Sequence, residues 1–156
     1  MRLATQLVAM TLNVLLLAGC THALRPGIPT TFSAYDGTDP KRAVSFDRVV
    51  FQVKRIDNKP VADLAFWKIA LKERLLKTGY VLASDGDIAA SGVPGYFIET
   101  SAPHGVVDYN YLVAVFVDNK DIIVVEAAGE VARYQANREN IFVAVRALKF
   151  DANTSR

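Results

Sequence analysis

Residues 109–131 read YNYLVAVFVDNKDIIVVEAAGEV, and this stretch decides the fold. Almost every residue of 109–117 is apolar or aromatic, which is typical of a central strand that is covered on both faces. The polar segment 118–121 predicts a hairpin turn, and residues 122 to about 131 predict the returning strand. We therefore expect an antiparallel sheet at the centre of the domain.

The most regular predicted helix covers about residues 61–78. Pro60 suits the first turn of a helix, Asp63 favours the positive end of the helix dipole, and Gly79 is a plausible C′ residue. Residues recur along this helix at steps of three and four, which predicts a stripe that packs on the sheet. The stripe consists of Leu64, Trp67, Leu71, Leu75 and Thr78.

Three further apolar residues of this helix, Phe66, Ile69 and Leu76, lie outside that stripe. A helix that lies on a single sheet needs only one apolar stripe, so these side chains need another explanation. Either the N-terminal segment or the C-terminal helix covers them, or they form a surface that docks a partner protein. Both interpretations remain open at this point.

Shorter runs predict other strands. A β-rich run at 44–56 changes its alternation near Asp47, which predicts one strand with a bulge. Residues 96–101 predict another strand. Polar segments at 84–87 and 102–108 predict breaks before and after it.

The last element is predicted over about 137–149, where apolar residues follow helical spacing. Asn137 is a reasonable N-cap, but the β propensity of Phe142 and Val143 leaves a strand as the alternative. With a helix here, the element order is β-α-β-β-β-β-α. The predicted fold class is α+β, a mainly antiparallel β-sheet packed with the long helix (about 61–78) and this C-terminal helix.

Residues 1–19 have the features of an export signal. Arg2 supplies a positive charge, residues 3–17 are mostly apolar, and small residues follow. A membrane span needs about 20 apolar residues, and this run is shorter and interrupted. We therefore expect residues 1–19 to be a signal peptide that is removed.

The segment Leu17-Ala18-Gly19-Cys20 resembles the lipobox of bacterial lipoproteins. This resemblance implies that Cys20 carries a lipid that anchors the chain to a membrane. Lipoproteins of many Gram-negative bacteria that stay in the inner membrane carry Asp after the cysteine, so Thr21 at that position implies sorting to the outer membrane, facing the periplasm. An ordinary signal peptide with a chance cysteine is the alternative. Because Cys20 is the only cysteine, a lipid there leaves no thiol for a disulfide or for catalysis.

Residues 20–43 are predicted to be the lipidated cysteine and a flexible tether, because they contain several prolines and glycines and lack a hydrophobic period. Phe32 and Tyr35 could anchor part of this tether to the domain. The single α+β domain is expected at 44–150, and a tail is expected at 151–156.

The predicted element order resembles two groups of proteins. One is the lipopolysaccharide-assembly lipoprotein fold, in which a lipidated cysteine is followed by a strand, a helix, three strands and a final helix. Its members often carry His-Leu-Arg just after the cysteine, where residues 21–25 of this chain read THALR. The other is the PsbP-like fold, a sheet flanked by helices that often ends in a hairpin and a helix, as residues 122–150 are predicted to do.

Composition and motifs give little support for catalysis or for nucleic-acid binding. The formal net charge is +2, and no basic block of the kind that binds nucleic acid is present. His104 could act as a base beside Ser101 and Asp108, but the serine lacks the glycines of a nucleophile elbow. Glu126 and Glu130 would lie about 13 Å apart on one strand, too far to share a proton. No metal-ligand spacing or phosphate loop occurs, so we expect no enzymatic activity, no cofactor and no metal.

Two functions therefore remain. The first is a non-catalytic envelope lipoprotein, anchored through Cys20, that acts as a protein-binding or assembly and transport accessory. Its partner would be an envelope protein, and its partner surface would be Phe66, Ile69 and Leu76. The second is a periplasmic carrier or sensor that binds a small apolar ligand between the sheet and the helices. The aromatic residues that favour this second function are Trp67, Phe97, Tyr109, Tyr111 and Phe116.

The two functions predict different surfaces. A protein-binding module should expose an apolar patch that includes Phe66 or Ile69 and should have no large cavity. A ligand carrier should have an apolar pocket of several hundred Å³ between its layers.

Overall fold

The fold is described from a computed structural model, over residues 28–34, 41–118 and 120–150. The elements in chain order are β1 (Phe32–Ala34), β2 (Lys41–Ser45), β3 (Val50–Asp57), α1 (Leu64–Lys77), β4 (Val81–Ala90), β5 (Val93–His104), β6 (Val107–Asp118), β7 (Asp121–Glu130) and α2 (Val131–Arg146). The strands form one sheet in the order β1-β2-β3-β7-β6-β5-β4, and all neighbouring strands are antiparallel. The predicted α+β class and the mainly antiparallel sheet are confirmed.

The two helices cover opposite faces of the sheet. Alternate residues of β6 belong to two different hydrophobic cores, because successive side chains of a strand point to opposite faces of the sheet. Leu112 and Phe116 belong to the core beneath α2, whereas Val113 and Val115 belong to the core beneath α1. This three-layer packing explains why residues 109–117 lack polar alternation. It also removes one predicted explanation of the extra apolar residues of α1, since α2 cannot cover them.

Helix α1 begins three residues later than predicted. Its N-cap is Asp63, whose carboxylate accepts a 2.9 Å hydrogen bond from the Phe66 amide. Pro60 therefore lies before the helix and not in its first turn. At the other end, Gly79 adopts a φ of 93°, as expected of a C′ glycine, and the Thr78 hydroxyl donates to backbone carbonyls of the last turn.

Helix α2 begins at Val131, six residues before the predicted N-cap. Asn137 lies inside the helix and is buried. Its side-chain amide donates a 2.9 Å hydrogen bond to the Arg133 carbonyl, and its oxygen accepts one from the Thr31 hydroxyl. The prediction of an N-cap at this position was wrong because the asparagine has tertiary partners instead of a capping role. The choice of helix over strand is confirmed.

The run at 44–56 is two strands and not one bulged strand. Residues 46–49 form a tight turn between β2 and β3, in which Arg48 has a φ of 65° and Phe46 is 99% exposed. This turn, and not a bulge, causes the change in the alternation of apolar residues near Asp47. The sheet also begins before residue 44, because β1 and the first three residues of β2 lie within the predicted tether.

Phe32 is the anchor of that N-terminal part. It is buried, and its ring packs edge-on against Phe51 at a centroid distance of 6.3 Å. The other predicted anchor, Tyr35, lies outside the described residues. The folded region therefore includes part of the stretch predicted as a tether.

The breaks predicted at 84–87 and 102–108 are also wrong. Residues 84–87 lie inside β4, where Asp85 and Asp87 make ion pairs with lysines of α1. Such polar residues resemble a loop in sequence but here cover one side of an edge strand. The second predicted break contains only the tight turn at 105–106 between β5 and β6.

A buried carboxylate on the sheet holds α2 in place. Glu99 is 5% exposed and accepts hydrogen bonds from Arg138 at 2.6 and 2.9 Å, from Tyr134 at 2.7 Å and from Ser84 at 2.7 Å. Burial alone would raise the pKa of Glu99, but these hydrogen bonds reverse that effect and lower its pKa. The carboxylate is therefore ionised and fully partnered at neutral pH.

Gly95 provides a test of how tightly the sheet and its helix layer are packed. A Cβ at this position would lie 2.5 Å from Cδ1 of Phe116 and 2.7 Å from the Val115 carbonyl oxygen. We expect Gly95→Ala to lower the free energy of unfolding by about 1–3 kcal/mol, as overpacking does in dense cores. Urea denaturation would measure the loss, with Ala89→Ser as the exposed control on the same hairpin. Equal stability of the Gly95→Ala variant and the wild type would contradict this packing.

Candidate functional site

Helix α1 has an apolar side that faces the solvent. Phe66, Ile69 and Leu76 are 45%, 63% and 42% exposed. Steps of three and seven residues place them on one side of the helix, opposite the stripe that packs on the sheet. We call these three residues the outer face of α1. They are the predicted partner surface, and the structure exposes them together.

The flank of α1 towards β4 is closed by ion pairs. The Nζ of Lys68 lies 2.7 Å from Asp87, and that of Lys72 lies 2.9 Å from Asp85. The hydroxyl of Tyr96 also donates to Asp85 at 2.5 Å. These groups connect the helix to the edge of the sheet, although exposed ion pairs of this kind stabilise a protein by only about 0–1 kcal/mol.

The opposite flank borders a cavity of about 380 Å³ between α1 and the sheet. Helix α1 packs on β5 and β6, so the neighbouring β7 and β3 are only partly covered on this face. The apolar lining consists of Ile56, Trp67, Ala70, Leu71, Leu75, Val113, Val115, Ile122 and Val124. This volume lies within the range of small-molecule pockets.

Four polar residues also line this cavity: Lys54, Arg74, Tyr111 and Glu126. Glu126 is half-buried and accepts hydrogen bonds from the Tyr111 hydroxyl at 2.5 Å and from the Gln52 amide. The Nζ of Lys54 lies 2.8 Å from the same carboxylate. Lys54 and Glu126 therefore neutralise each other beside the cavity.

The pKa of Glu126 reflects two opposing influences. Burial alone would raise it, but hydrogen bonds from Lys54, Tyr111 and Gln52 lower the pKa below its ordinary value. The pKa of Tyr111 is raised, chiefly by burial and then by its hydrogen bond to this carboxylate. A carboxylate with a lowered pKa is ionised at neutral pH, which makes it a poor proton donor and a weak general base.

Arg74 differs from the other charged residues of the cavity. Within the described ranges, its side chain makes no ion pair and donates no hydrogen bond. It lies near enough to Tyr111 for its positive charge to oppose the rise in the pKa of that phenol. Its position in the last turn of α1 complements the helix dipole. The cavity therefore has one cation that no carboxylate neutralises.

Two of the residues considered for catalysis have other partners, and the side chain of His104 lies outside the part of the chain that is described. The Ser101 hydroxyl donates to Asn110 at 3.0 Å, and Glu130 lies at the start of α2, 3.3 Å from Arg133. Over residues 28–34, 41–118 and 120–150, no group of three His, Cys, Asp or Glu side chains could hold a metal ion. In the same ranges no helix is long and apolar enough to cross a membrane. Cys20 lies outside the described residues.

The five aromatic residues predicted to line a ligand site do not lie together. Trp67 and Tyr111 line the cavity, whereas Phe97 and Phe116 pack beneath α2 on the other face of the sheet. Tyr109 belongs to neither group and lines a separate pocket with Pro103. Lys54 and Arg74 were not predicted as site residues. Lys54 meets Glu126 only because β3 pairs with β7 in a register that places Gln52 opposite Glu126. No local pattern in the sequence encodes that register.

Comparison with solved structures finds the same overall fold in several other proteins. The solution structure of cyanobacterial PsbP from Synechocystis is similar, with a TM-score of 0.53, 10% identity and coverage of 80% of this chain and 84% of that one. The predicted resemblance to PsbP-like proteins is thus confirmed at the level of the fold. The resemblance to lipopolysaccharide-assembly lipoproteins stays a prediction.

Two other solved structures share the fold. LpqN of Mycobacterium tuberculosis, a protein involved in cell envelope biogenesis, has a TM-score of 0.63 and 12% identity, with coverage of 82% of this chain and 84% of that one. Protein PA94 of Pseudomonas aeruginosa, whose function is unknown, has a TM-score of 0.61 and 12% identity, with coverage of 78% and 99%. No protein family and no curated protein matches the sequence. Identities this low show the fold alone.

The lowered pKa of Glu126 predicts a pH-dependent stability difference. A carboxylate whose pKa is lower in the folded state stabilises the fold above its unfolded pKa, and that contribution is lost as the pH falls through the folded pKa. At pH 7 we expect Glu126→Gln to be less stable than the wild type by about 1 kcal/mol. Below the ordinary value of 4.5, the difference should narrow.

Urea denaturation at pH 7 and pH 3 would measure this difference. Glu139→Gln is the matched control, because it makes the same change of charge at a side chain that is 80% exposed. A gap between the wild type and Glu126→Gln that stays constant from pH 7 to pH 3 would contradict the prediction.

Proposed function

We propose that this chain is a non-catalytic accessory protein of the bacterial envelope that binds a partner protein through the outer face of α1. The observation that carries the proposal is the exposure of Phe66, Ile69 and Leu76 on one side of a helix that already packs on the sheet by its other side. Single exposed apolar residues are ordinary, but several on one surface mark an interaction site. Helix faces of this kind fit hydrophobic grooves of partner proteins.

The proposed position of the protein follows from its N-terminal sequence. Residues 1–19 act as the signal peptide, and lipid on Cys20 anchors the chain to the outer membrane, facing the periplasm. Two or more acyl chains are needed for firm anchoring, which a triacylated cysteine provides. The similar fold of LpqN, itself involved in cell envelope biogenesis, supports an envelope role.

Crosslinking in cells tests the partner surface. A photo-reactive amino acid at position 69 should capture a discrete partner, and Phe66→Asp in the same chain should abolish the capture. Val143 offers the matched control, because it is 51% exposed on α2 at the opposite face of the sheet. The same products from positions 69 and 143, or no product from position 69 in correctly localised protein, would overturn the partner surface.

The Cys20→Ser variant tests the anchor. We expect it to lose labelling by palmitate and to leave the membrane fraction, because the thiol that would carry the lipid is gone. Thr21→Ser, which leaves the cysteine in place, should remain labelled and membrane-bound. A Cys20→Ser protein that is still labelled and still sediments with membranes would refute lipid attachment at this residue.

A specific observation favours a second function, the binding of a small ligand between α1 and the sheet. The cavity of about 380 Å³ has an apolar lining and a few polar groups, which is the usual composition of a ligand pocket. Its lining uses Trp67 and Tyr111, two of the aromatic residues that the sequence suggested for this role. We propose this as the second candidate function of the domain.

A further inference from the structure

We propose that the cavity between α1 and the sheet binds a single-chain amphiphile with a carboxylate head, whose tail lies on the apolar lining and whose head pairs with Arg74. This inference rests on the second candidate function and names the class of its ligand. It is carried by the combination of an apolar cavity with one unneutralised cation at its polar side.

The apolar lining selects the tail. Trp67, Leu71 and Leu75 line one side, and strand residues such as Val113 and Ile122 line the other. Burying apolar surface contributes roughly 25 cal/mol per Å², so a hydrocarbon chain gains more here than a polar molecule would. At about 30 Å³ for each water-sized group, the volume accommodates a chain of about a dozen carbon atoms.

The charges select the head. Lys54 and Glu126 are 2.8 Å apart and cancel each other, which leaves Arg74 as the cation of the cavity without a partner among the described residues. A guanidinium binds a carboxylate through two parallel hydrogen bonds. A cationic head would be repelled by Arg74, and a neutral head would gain no charge–charge attraction from this exposed guanidinium. The complementary ligand is therefore an anion with a single chain.

Trp67 supplies the readout, because it is the only tryptophan of the chain and it lines the cavity. The test uses the full chain with Cys20→Ser, so that no attached lipid competes for the site. Dodecanoate is the probe, and dodecanol, with the same chain length and no charge, is the matched ligand control. Both are titrated below the concentrations at which they form micelles or separate from solution.

We expect dodecanoate to change the Trp67 fluorescence saturably and to bind about threefold more tightly than dodecanol, since Arg74 is exposed and exposed ion pairs are weak. Arg74→Gln should bring dodecanoate down to the affinity of dodecanol without changing dodecanol binding. Lys77→Gln is the matched variant, because it removes a cation from the same helical turn that does not line the cavity. Ala70→Phe should fill the cavity and abolish both signals.

The outcomes separate the two levels of the proposal. Equal affinities for the two ligands, or an Arg74→Gln variant that binds dodecanoate as the wild type does, would overturn the anionic head and leave the ligand cavity standing. No saturable signal in protein with a native circular dichroism spectrum would overturn both the ligand class and the second candidate function. Unchanged binding to a folded Ala70→Phe variant would place the ligand elsewhere and overturn the proposal.

Discussion

The rest of the structure depends on one constraint: the central residues of β6 and β7 are apolar on both faces of the sheet. From Leu112 to Phe116 every side chain is buried, alternately beneath α1 and beneath α2, and residues 122–125 of β7 follow the same pattern. An antiparallel sheet can leave one face solvated, but a strand that is apolar on both sides cannot. A helix on each face is therefore required, and the chain provides one before β4 and one after β7.

The two helices meet this requirement unequally. Helix α2 buries most of one side and is held by Glu99, whose carboxylate is partnered by Arg138, Tyr134 and Ser84. The guanidinium of Arg138 also lies 4.6 Å from the ring centroid of Phe142. Helix α1 has one buried side chain, Leu75, and its charged contacts to β4 are exposed. The face with the weaker cover has both the cavity and the outer face of α1, so the two candidate sites lie where the helix buries the fewest of its side chains.

The elements that could be predicted from the sequence are those encoded by local patterns. The hairpin at 109–131 and the helix near 61–78 follow from unbroken apolarity and from regular spacing, and both are present. The errors arose where contacts between residues distant in sequence decide the structure. Asn137 accepts a hydrogen bond from Thr31 and does not cap a helix. Asp85 and Asp87 lie in a strand, where lysines of α1 pair with them. The outer face of α1 could be read from one helical period. The cluster of Lys54, Tyr111 and Glu126 could not, because it depends on the register of three strands.

The two candidate functions place different demands on the same helix, and the geometry allows both. Phe66 faces outward while Trp67 faces the cavity, and their rings meet edge-on at a centroid distance of 5.2 Å and an angle of 87°. Trp67 is also fixed by its indole N–H, which donates to Asn58 at 2.8 Å. The outer face and the cavity lining share no residue, so a partner docked on one side does not occupy the space of a ligand on the other. The sequence-based test, an exposed apolar patch without a large cavity against an apolar pocket between the layers, therefore does not separate the two functions here. Helix α1 has apolar residues on two sides, and the sheet beneath it is wider than the helix.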